Sequence, residues 1–176
     1  MDVIAHAAAG PFAAACLLLV FAGASKIRRP TGTRPAATAL GLPDSPGAVR
    51  TLGIVELGIA AIGLALGGIA AVTVAIVYLA LAIAAWRLHV RSPGTACGCL
   101  GVSDTPVTAT HIVVNFAAMI AALLASAAGP PLAAVGTSVL ARVSFVLLVG
   151  CCASLVAMVL DTLPALNARI HESDSP

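Results

Sequence analysis

The chain is constrained above all by a series of long apolar runs that carry almost no charge. In the run from residue 51 to residue 86, the one charged residue is Glu56. A single helix over this run would be about 54 Å long, whereas the hydrocarbon core of a bilayer is about 30 Å thick. Two antiparallel helices that turn near Gly67 and Gly68 are therefore expected. Charged residues make up only 9% of the chain, against about 25% in soluble domains, so the sequence predicts an integral membrane protein.

Similar apolar runs elsewhere predict an all-α polytopic membrane helix bundle with about five transmembrane helices. A single integral membrane domain is expected over residues 1–176. The predicted spans are about 3–24, 51–67, 69–86, 107–128 and 143–160. A transmembrane β-barrel is disfavoured because its strands alternate apolar and polar residues, whereas these runs are continuous.

Local signals mark the ends of several predicted helices. Pro11 is expected to kink the first span, and residues 36–42 are compatible with a short interfacial helix. The string Asp104-Thr105-Pro106 resembles a cap followed by a first-turn proline, so the fourth helix is predicted to start at Val107. A cleaved signal peptide is the alternative for the first span. Signal peptides begin with a basic segment, however, and here the basic residues follow the apolar run.

Basic residues are expected mostly on one side of the membrane. With five spans, one side holds eight of them: Lys26, Arg28, Arg29, Arg34, Arg50, Arg87, Arg91 and Arg169. The positive-inside rule then places the N-terminus outside and the 87–106 loop in the cytoplasm. Eight arginines to one lysine, with abundant alanine, indicates a GC-rich bacterial genome and hence a bacterial plasma membrane. A net charge of +2 does not supply the basic surface of a nucleic-acid-binding protein, so no such partner is expected.

Ionisable side chains inside a span are candidate functional residues, because a charge in the bilayer interior is costly. Glu56 shares a helical face with the small residues Gly53, Ala60 and Gly63, and such a face is expected to pack against a neighbouring helix. Two interpretations of Glu56 stay open. It forms a structural ion pair with Lys26, or it takes part in substrate or proton handling.

A further pair of polar residues is predicted near the start of the fourth helix. His111 and Asn115 are four residues apart and so share one face. Asn115 has a structural interpretation as an interhelical hydrogen bond. Together with other residues on the same side of the membrane, the two form a predicted polar layer: Lys26, Glu56, Cys97, Cys99, His111, Asn115 and Asp161.

Cys97 and Cys99 are separated by one glycine in a glycine-containing loop, where the backbone is free to bring two sulfurs together. A disulfide across one residue is strained, and strained disulfides are easily reduced. Three interpretations stay open: a redox pair, a metal site completed by His89 and His111, or two inert thiols. We predict no metal and no cofactor. The remaining cysteines, Cys16, Cys151 and Cys152, fall within helices, where free cysteine behaves as a small apolar residue.

Four motifs occur together in the first three quarters of the chain. They are a helix closing on Gly23-x-x-Lys26, a second helix with the embedded acid, the loop string CGCLG and the helical string HIVVN at 111–115. This combination resembles the methylamine utilisation protein MauE family of DoxX-like membrane proteins, over roughly residues 5–128. The family's loop usually has an aromatic residue after the second cysteine, where this chain has Leu100.

The resemblance implies a four-helix DoxX-like core, here followed by a C-terminal helix, and a role in thiol-disulfide redox work. It implies maturation or export of a disulfide-containing redox enzyme, such as methylamine dehydrogenase or an analogue. Cys97 and Cys99 are the implied redox pair, with Lys26, Glu56 and Asn115 in support. A cytoplasmic loop would exchange electrons with a thioredoxin-like partner, whereas maturation of an exported client would be simplest with the loop outside.

The leading hypothesis from the sequence is therefore a membrane thiol redox protein. One loop cysteine attacks a partner disulfide as the thiolate, the other resolves the mixed disulfide, and Lys26 favours the thiolate form. Glu56 holds Lys26 or moves protons. The alternatives are a non-catalytic membrane assembly factor or scaffold, and a carrier of quinone or another small molecule that uses a pocket at Glu56.

Overall fold

The protein is a bundle of long helices connected by short segments. A computed structural model describes residues 7–96 and 106–173, with side chains through residue 160 and at Thr162. The helices are α1 (Ala9–Arg28), α2 (Arg34–Ala39), α3 (Pro46–Leu66), α4 (Ile69–Arg91), α5 (Ala109–Ala125) and α6 (Val139–Ser173). Short 3-10 helices cover Pro30–Thr33 and Ala133–Val135. This architecture confirms the predicted all-α polytopic bundle.

Four helical segments are long and apolar enough to cross a membrane: α1, α3, α4 and the Val139–Leu160 part of α6. Helix α5 is also apolar and has 17 residues, the lower end of the range for a transmembrane helix. Large aliphatic side chains cover the outside of the bundle, with Ile69 89% and Leu140 77% exposed. Such a surface suits contact with lipid, and the chain is a membrane protein.

The chain reverses between α3 and α4 at Gly67–Gly68, the point predicted from the sequence. Both glycines have positive φ angles, 58° and 51°, which residues with a Cβ rarely adopt. The Gly68 N–H donates to the Ala128 carbonyl at 2.9 Å. This bond joins the α3–α4 turn to the segment after α5, so both chain reversals lie at the same end of the bundle.

Three helix boundaries differ from the sequence prediction. Helix α3 begins at Pro46, because the Ser45 side chain caps it by accepting from Ala48 N at 3.1 Å. Helix α5 begins at Ala109, so the predicted start at Val107 is wrong: Thr108 provides the cap. Helix α6 continues through residue 160 as one helix to Ser173.

Pro11, which was expected to kink the first span, lies at the start of helix α1 and not in its interior. The turn residue Ala8 precedes α1, which begins at Ala9. Pro11 therefore lies in the first turn, where a missing N–H removes no intrahelical hydrogen bond. The core of the bundle lies where α1, α3, α4 and α5 meet, around Phe12, Cys16 and Tyr78.

The connector between α1 and α3 contains an exposed ion pair. Arg34 Nε donates to Asp44 Oδ1 at 2.6 Å. This hydrogen bond and the guanidinium charge lower the pKa of Asp44. The same contact raises the pKa of Arg34. Exposed pairs of this kind contribute little to stability, so the connector depends mainly on packing, with Ala36 and Ala37 buried.

Candidate functional site

The candidate site is built on a close crossing of α1 and α3. A Cβ added to Gly23 would lie 2.6 Å from the Gly53 carbonyl oxygen, and one added to Gly53 would lie 2.6 Å from the Gly23 carbonyl oxygen. The two backbones therefore touch at these glycines. Lys26 and Glu56 follow them by three residues, about one helical turn, so the crossing brings their side chains together.

Lys26 and Glu56 form a buried ion pair. Lys26 Nζ lies 2.7 Å from Glu56 Oε2, and the two side chains are 4% and 2% exposed. Glu56 is ten residues into α3, about 15 Å from its start. The structural ion pair considered as one interpretation of Glu56 is thus present. A functional role for the pair remains a proposal.

The second carboxylate oxygen of Glu56 is unusual. Oε1 is buried and has no hydrogen-bond partner within the part of the chain that the structure describes. A buried acceptor left unsatisfied costs about 1–3 kcal/mol, and more when charged. Unsatisfied groups of this kind are uncommon in proteins. The unpaired oxygen therefore makes Glu56 a candidate functional residue.

His111 lies in the first turn of α5, on the same side of the bundle. It is buried, and its Nδ1 accepts from the Thr108 N–H at 3.3 Å, while the Thr108 side chain caps the His111 backbone. Just before this cap, Val107 N donates to the Thr95 carbonyl at 3.2 Å. Ala96 and Pro106 form an antiparallel bridge. The two ends of the segment 97–105 are thus joined beside the start of α5.

A small cavity of about 50 Å³ lies between Lys26 and His111. Its polar lining comes from Lys26, Tyr78, His111 and Asn115, and its remaining walls are aliphatic. Asn115 is half-buried, and its amide makes no hydrogen bond with the described backbone or with the side chains described through residue 160. The expected interhelical bond of Asn115 is therefore not made by the described residues.

Tyr78 belongs to the site, and sequence analysis missed it. Its hydroxyl donates to the Ala15 carbonyl at 2.6 Å, which ties α4 to α1, and its side chain is 3% exposed. The available signal was that Tyr78 is the one tyrosine of the chain and lies in the middle of a span. A buried tyrosine usually needs a partner for its hydroxyl, so that position indicated an interhelical contact.

Several residues singled out from the sequence fall wholly or partly outside the described part of the chain. Cys97 and Cys99 lie outside the described residues, and so do Asp104 and Thr105. Asp161 lies within α6, next to Leu160, which lines the cavity; its side chain lies outside the described part. His89, an alternative metal ligand, has Nδ1 3.2 Å from the Val107 carbonyl oxygen.

Fold and site together define a polytopic helical membrane protein with a buried ion pair near one end of its bundle. The family model for methylamine utilisation protein MauE matches residues 4–128. The match covers more than half of the chain, and the protein belongs to this family of membrane proteins linked to methylamine utilisation. No curated protein and no solved structure matches the chain. The match includes Lys26, Glu56 and Asn115 and ends before α6.

Proposed function

We propose that the protein is a membrane thiol-disulfide redox protein whose reactive groups are Cys97 and Cys99. The observation that carries the proposal is the position of the residues that flank the segment containing them. Its two ends are joined by the Ala96–Pro106 bridge and run directly into the Thr108–His111 cap. His111 lines the same cavity as Lys26, so a buried polar group adjoins the base of the cysteine segment.

The proposed reaction is a two-step exchange. The thiolate of one loop cysteine attacks a sulfur of a partner disulfide, and a mixed disulfide forms as the other partner sulfur leaves as a thiolate. The second loop cysteine then attacks the mixed disulfide. The products are a Cys97–Cys99 disulfide and a partner dithiol, so two electrons pass from this protein to its partner. The reverse sequence oxidises a partner dithiol.

The ion pair supports this reaction as a positioning group. A lysine near a thiol favours the thiolate, which is the reactive form. Glu56 fixes Lys26 at the α1–α3 crossing, with the 2.7 Å contact to Oε2. We propose that the pair fixes the Lys26 ammonium close to the base of the cysteine segment, where its N–H groups rather than a net charge favour the thiolate.

The proposed client is a disulfide-containing redox enzyme, such as methylamine dehydrogenase or an analogue. The family link to methylamine utilisation supports this choice. A thioredoxin-like protein is the proposed electron-exchange partner, in a bacterial plasma membrane.

The test is a thiol count as a function of redox potential. The purified protein in detergent is equilibrated with glutathione buffers, quenched with acid and labelled with a polyethylene glycol maleimide. In the wild type, two cysteines are expected to change together between reduced and oxidised forms. Cys97→Ser and Cys99→Ser should each abolish this change and the maturation of the disulfide-containing client in cells.

Cys151→Ser is the matched control, because Cys151 lies on the exposed face of α6. This substitution is expected to leave both the thiol count and client maturation unchanged. Two findings together would overturn the proposal: thiols that stay reduced at every potential, and normal client maturation in Cys97→Ser/Cys99→Ser. The assembly-factor alternative would then be favoured.

A further inference from the structure

Beside the polar cavity lies an apolar groove that the proposed redox chemistry does not use. The groove has a volume of about 230 Å³ and lies between α1, α5 and α6. Small residues such as Ala14, Ala117 and Ala121 line it, and Val156 of α6 closes one side. Leu18 and Val114 line both the groove and the polar cavity, so the two adjoin at these residues and together form the candidate ligand site.

The polar end of this site offers hydrogen-bond donors. A lysine ammonium has three N–H donors, and Lys26 makes one described bond, to Glu56 Oε2. The Asn115 amide adds an N–H₂ group that, among the described residues, donates to nothing. The complementary ligand group is therefore an oxygen acceptor.

The charge balance of the site favours a neutral ligand. Glu56 already compensates Lys26 at 2.7 Å. With the charges of Lys26 and Glu56 alone, an anionic head group would leave one uncompensated negative charge within the membrane interior, which is costly. A carbonyl or ester oxygen satisfies the donors at no such cost.

The volume of the polar cavity limits the size of the ligand group that it can hold. A cavity of about 150 Å³ is what holds one benzene molecule in an engineered protein core, and this polar cavity measures about 50 Å³. By itself it has room for a group such as an ester carbonyl, and a quinone ring would extend into the groove. The larger groove is apolar and suits an alkyl chain.

We propose that this site binds an acyl lipid, with an ester carbonyl at Lys26 and Asn115 and the acyl chain in the groove between α1, α5 and α6. The proposal does not depend on Cys97 and Cys99. Either a diacylglycerol or the glycerol ester region of a phospholipid supplies this chemistry, and the test separates these sources.

The test uses a diacylglycerol that carries a photoactivatable diazirine in one acyl chain. The probe is added to the purified protein in detergent, irradiated, and the labelled peptides are identified by mass spectrometry. Label is expected on α1, α5 and α6. Competition by unlabelled diacylglycerol alone identifies a neutral glyceride as the ligand, and competition also by phosphatidylglycerol identifies the ester region of either lipid.

Two variants probe the two ends of the site. Ala117→Phe fills the groove from an exposed position on α5, and it should nearly abolish the labelling. Asn115→Leu keeps the side-chain size and removes the amide, so it should weaken apparent affinity about fivefold, as expected for one hydrogen bond. Ala61→Phe on the exposed face of α3 is the matched control and should label like the wild type.

Equal labelling of Ala117→Phe and Ala61→Phe would overturn the proposal, since the probe would then report general lipid contact. Displacement by decylubiquinone but not by diacylglycerol would also overturn it. If Ala117→Phe fails to fold, the Asn115→Leu result decides: affinity unchanged from the wild type rejects the site.

Discussion

At the residue scale, the Lys26–Glu56 pair is the most consequential contact in the protein. Both side chains are removed from solvent, and their mutual attraction offsets the cost of burying each charge. The pair therefore matters less for its net energy than for what happens when it is broken. Removing one partner leaves the other charge buried and uncompensated.

We expect Lys26→Met to destabilise the protein strongly, by about 3–5 kcal/mol, because Glu56 then has no counter-charge. Lys26→Met combined with Glu56→Leu should restore most of this loss, since apolar side chains of similar volume replace both charges. The thermal unfolding midpoint in detergent measures both effects. The double variant should fold and still lose redox activity, because the Lys26 ammonium is gone.

A double variant no more stable than Lys26→Met would show that the crossing needs the charges themselves. Full redox activity in a folded double variant would remove Lys26 and Glu56 from the proposed mechanism.

At the scale of the helices, the α1–α3 crossing depends on the absence of two side chains. The Gly53 backbone meets Gly23 so closely that a Cβ on either would overlap the other's carbonyl oxygen. Small residues allow this approach between membrane helices. The crossing in turn sets the separation of Lys26 and Glu56.

Gly53→Ala should destabilise the protein by about 1–3 kcal/mol, the usual cost of overpacking a tight contact. The measurement is the unfolding midpoint of the purified protein. Gly58→Ala is the control on the same helix, because a Cβ at Gly58 meets nothing within 4 Å. That change should be neutral or stabilising, since alanine favours helix more than glycine does. Equal effects of the two substitutions would mean that helix propensity, not the crossing, determines stability.

The ends of the helices show where local sequence signals predict a helix start and where they do not. Ser45 and Pro46 are a cap and a first-turn proline, a known helix-start signal, and they extend α3 beyond the predicted span. Asp104-Thr105-Pro106 carries the same signal, yet α5 starts at Ala109. Pro106 is instead paired with Ala96, a contact across ten residues that a local pattern does not contain.

At the scale of the whole molecule, the polar residues gather toward one end of the bundle. Lys26, Tyr78, His111 and Asn115 come from three helices and share one cavity. The opposite end holds the Gly67–Gly68 turn against Ala128. The side of the membrane that this polar end faces is predicted from basic residues alone.

We expect Cys97 and Cys99 to react with a membrane-impermeant maleimide in inverted vesicles and not in intact cells. The reason is that most basic residues are predicted on the same side of the membrane as these cysteines, and the positive-inside rule places that side in the cytoplasm. Labelling is compared with and without prior reduction, in a background lacking Cys16, Cys151 and Cys152. Labelling in intact cells would reverse the orientation and favour maturation of an exported client at the outer face.

The membrane class, the helical bundle, the turn at Gly67–Gly68 and the small-residue face around Glu56 could all be predicted from the sequence. These follow from hydropathy, helix length and residue size, which act locally along the chain. The contact between Glu56 and Lys26, the bond by which Tyr78 ties α4 to α1, and the groove between α1, α5 and α6 became visible in the folded bundle. Those features depend on which helix faces meet across long stretches of sequence, and packing geometry, not local pattern, determines that choice.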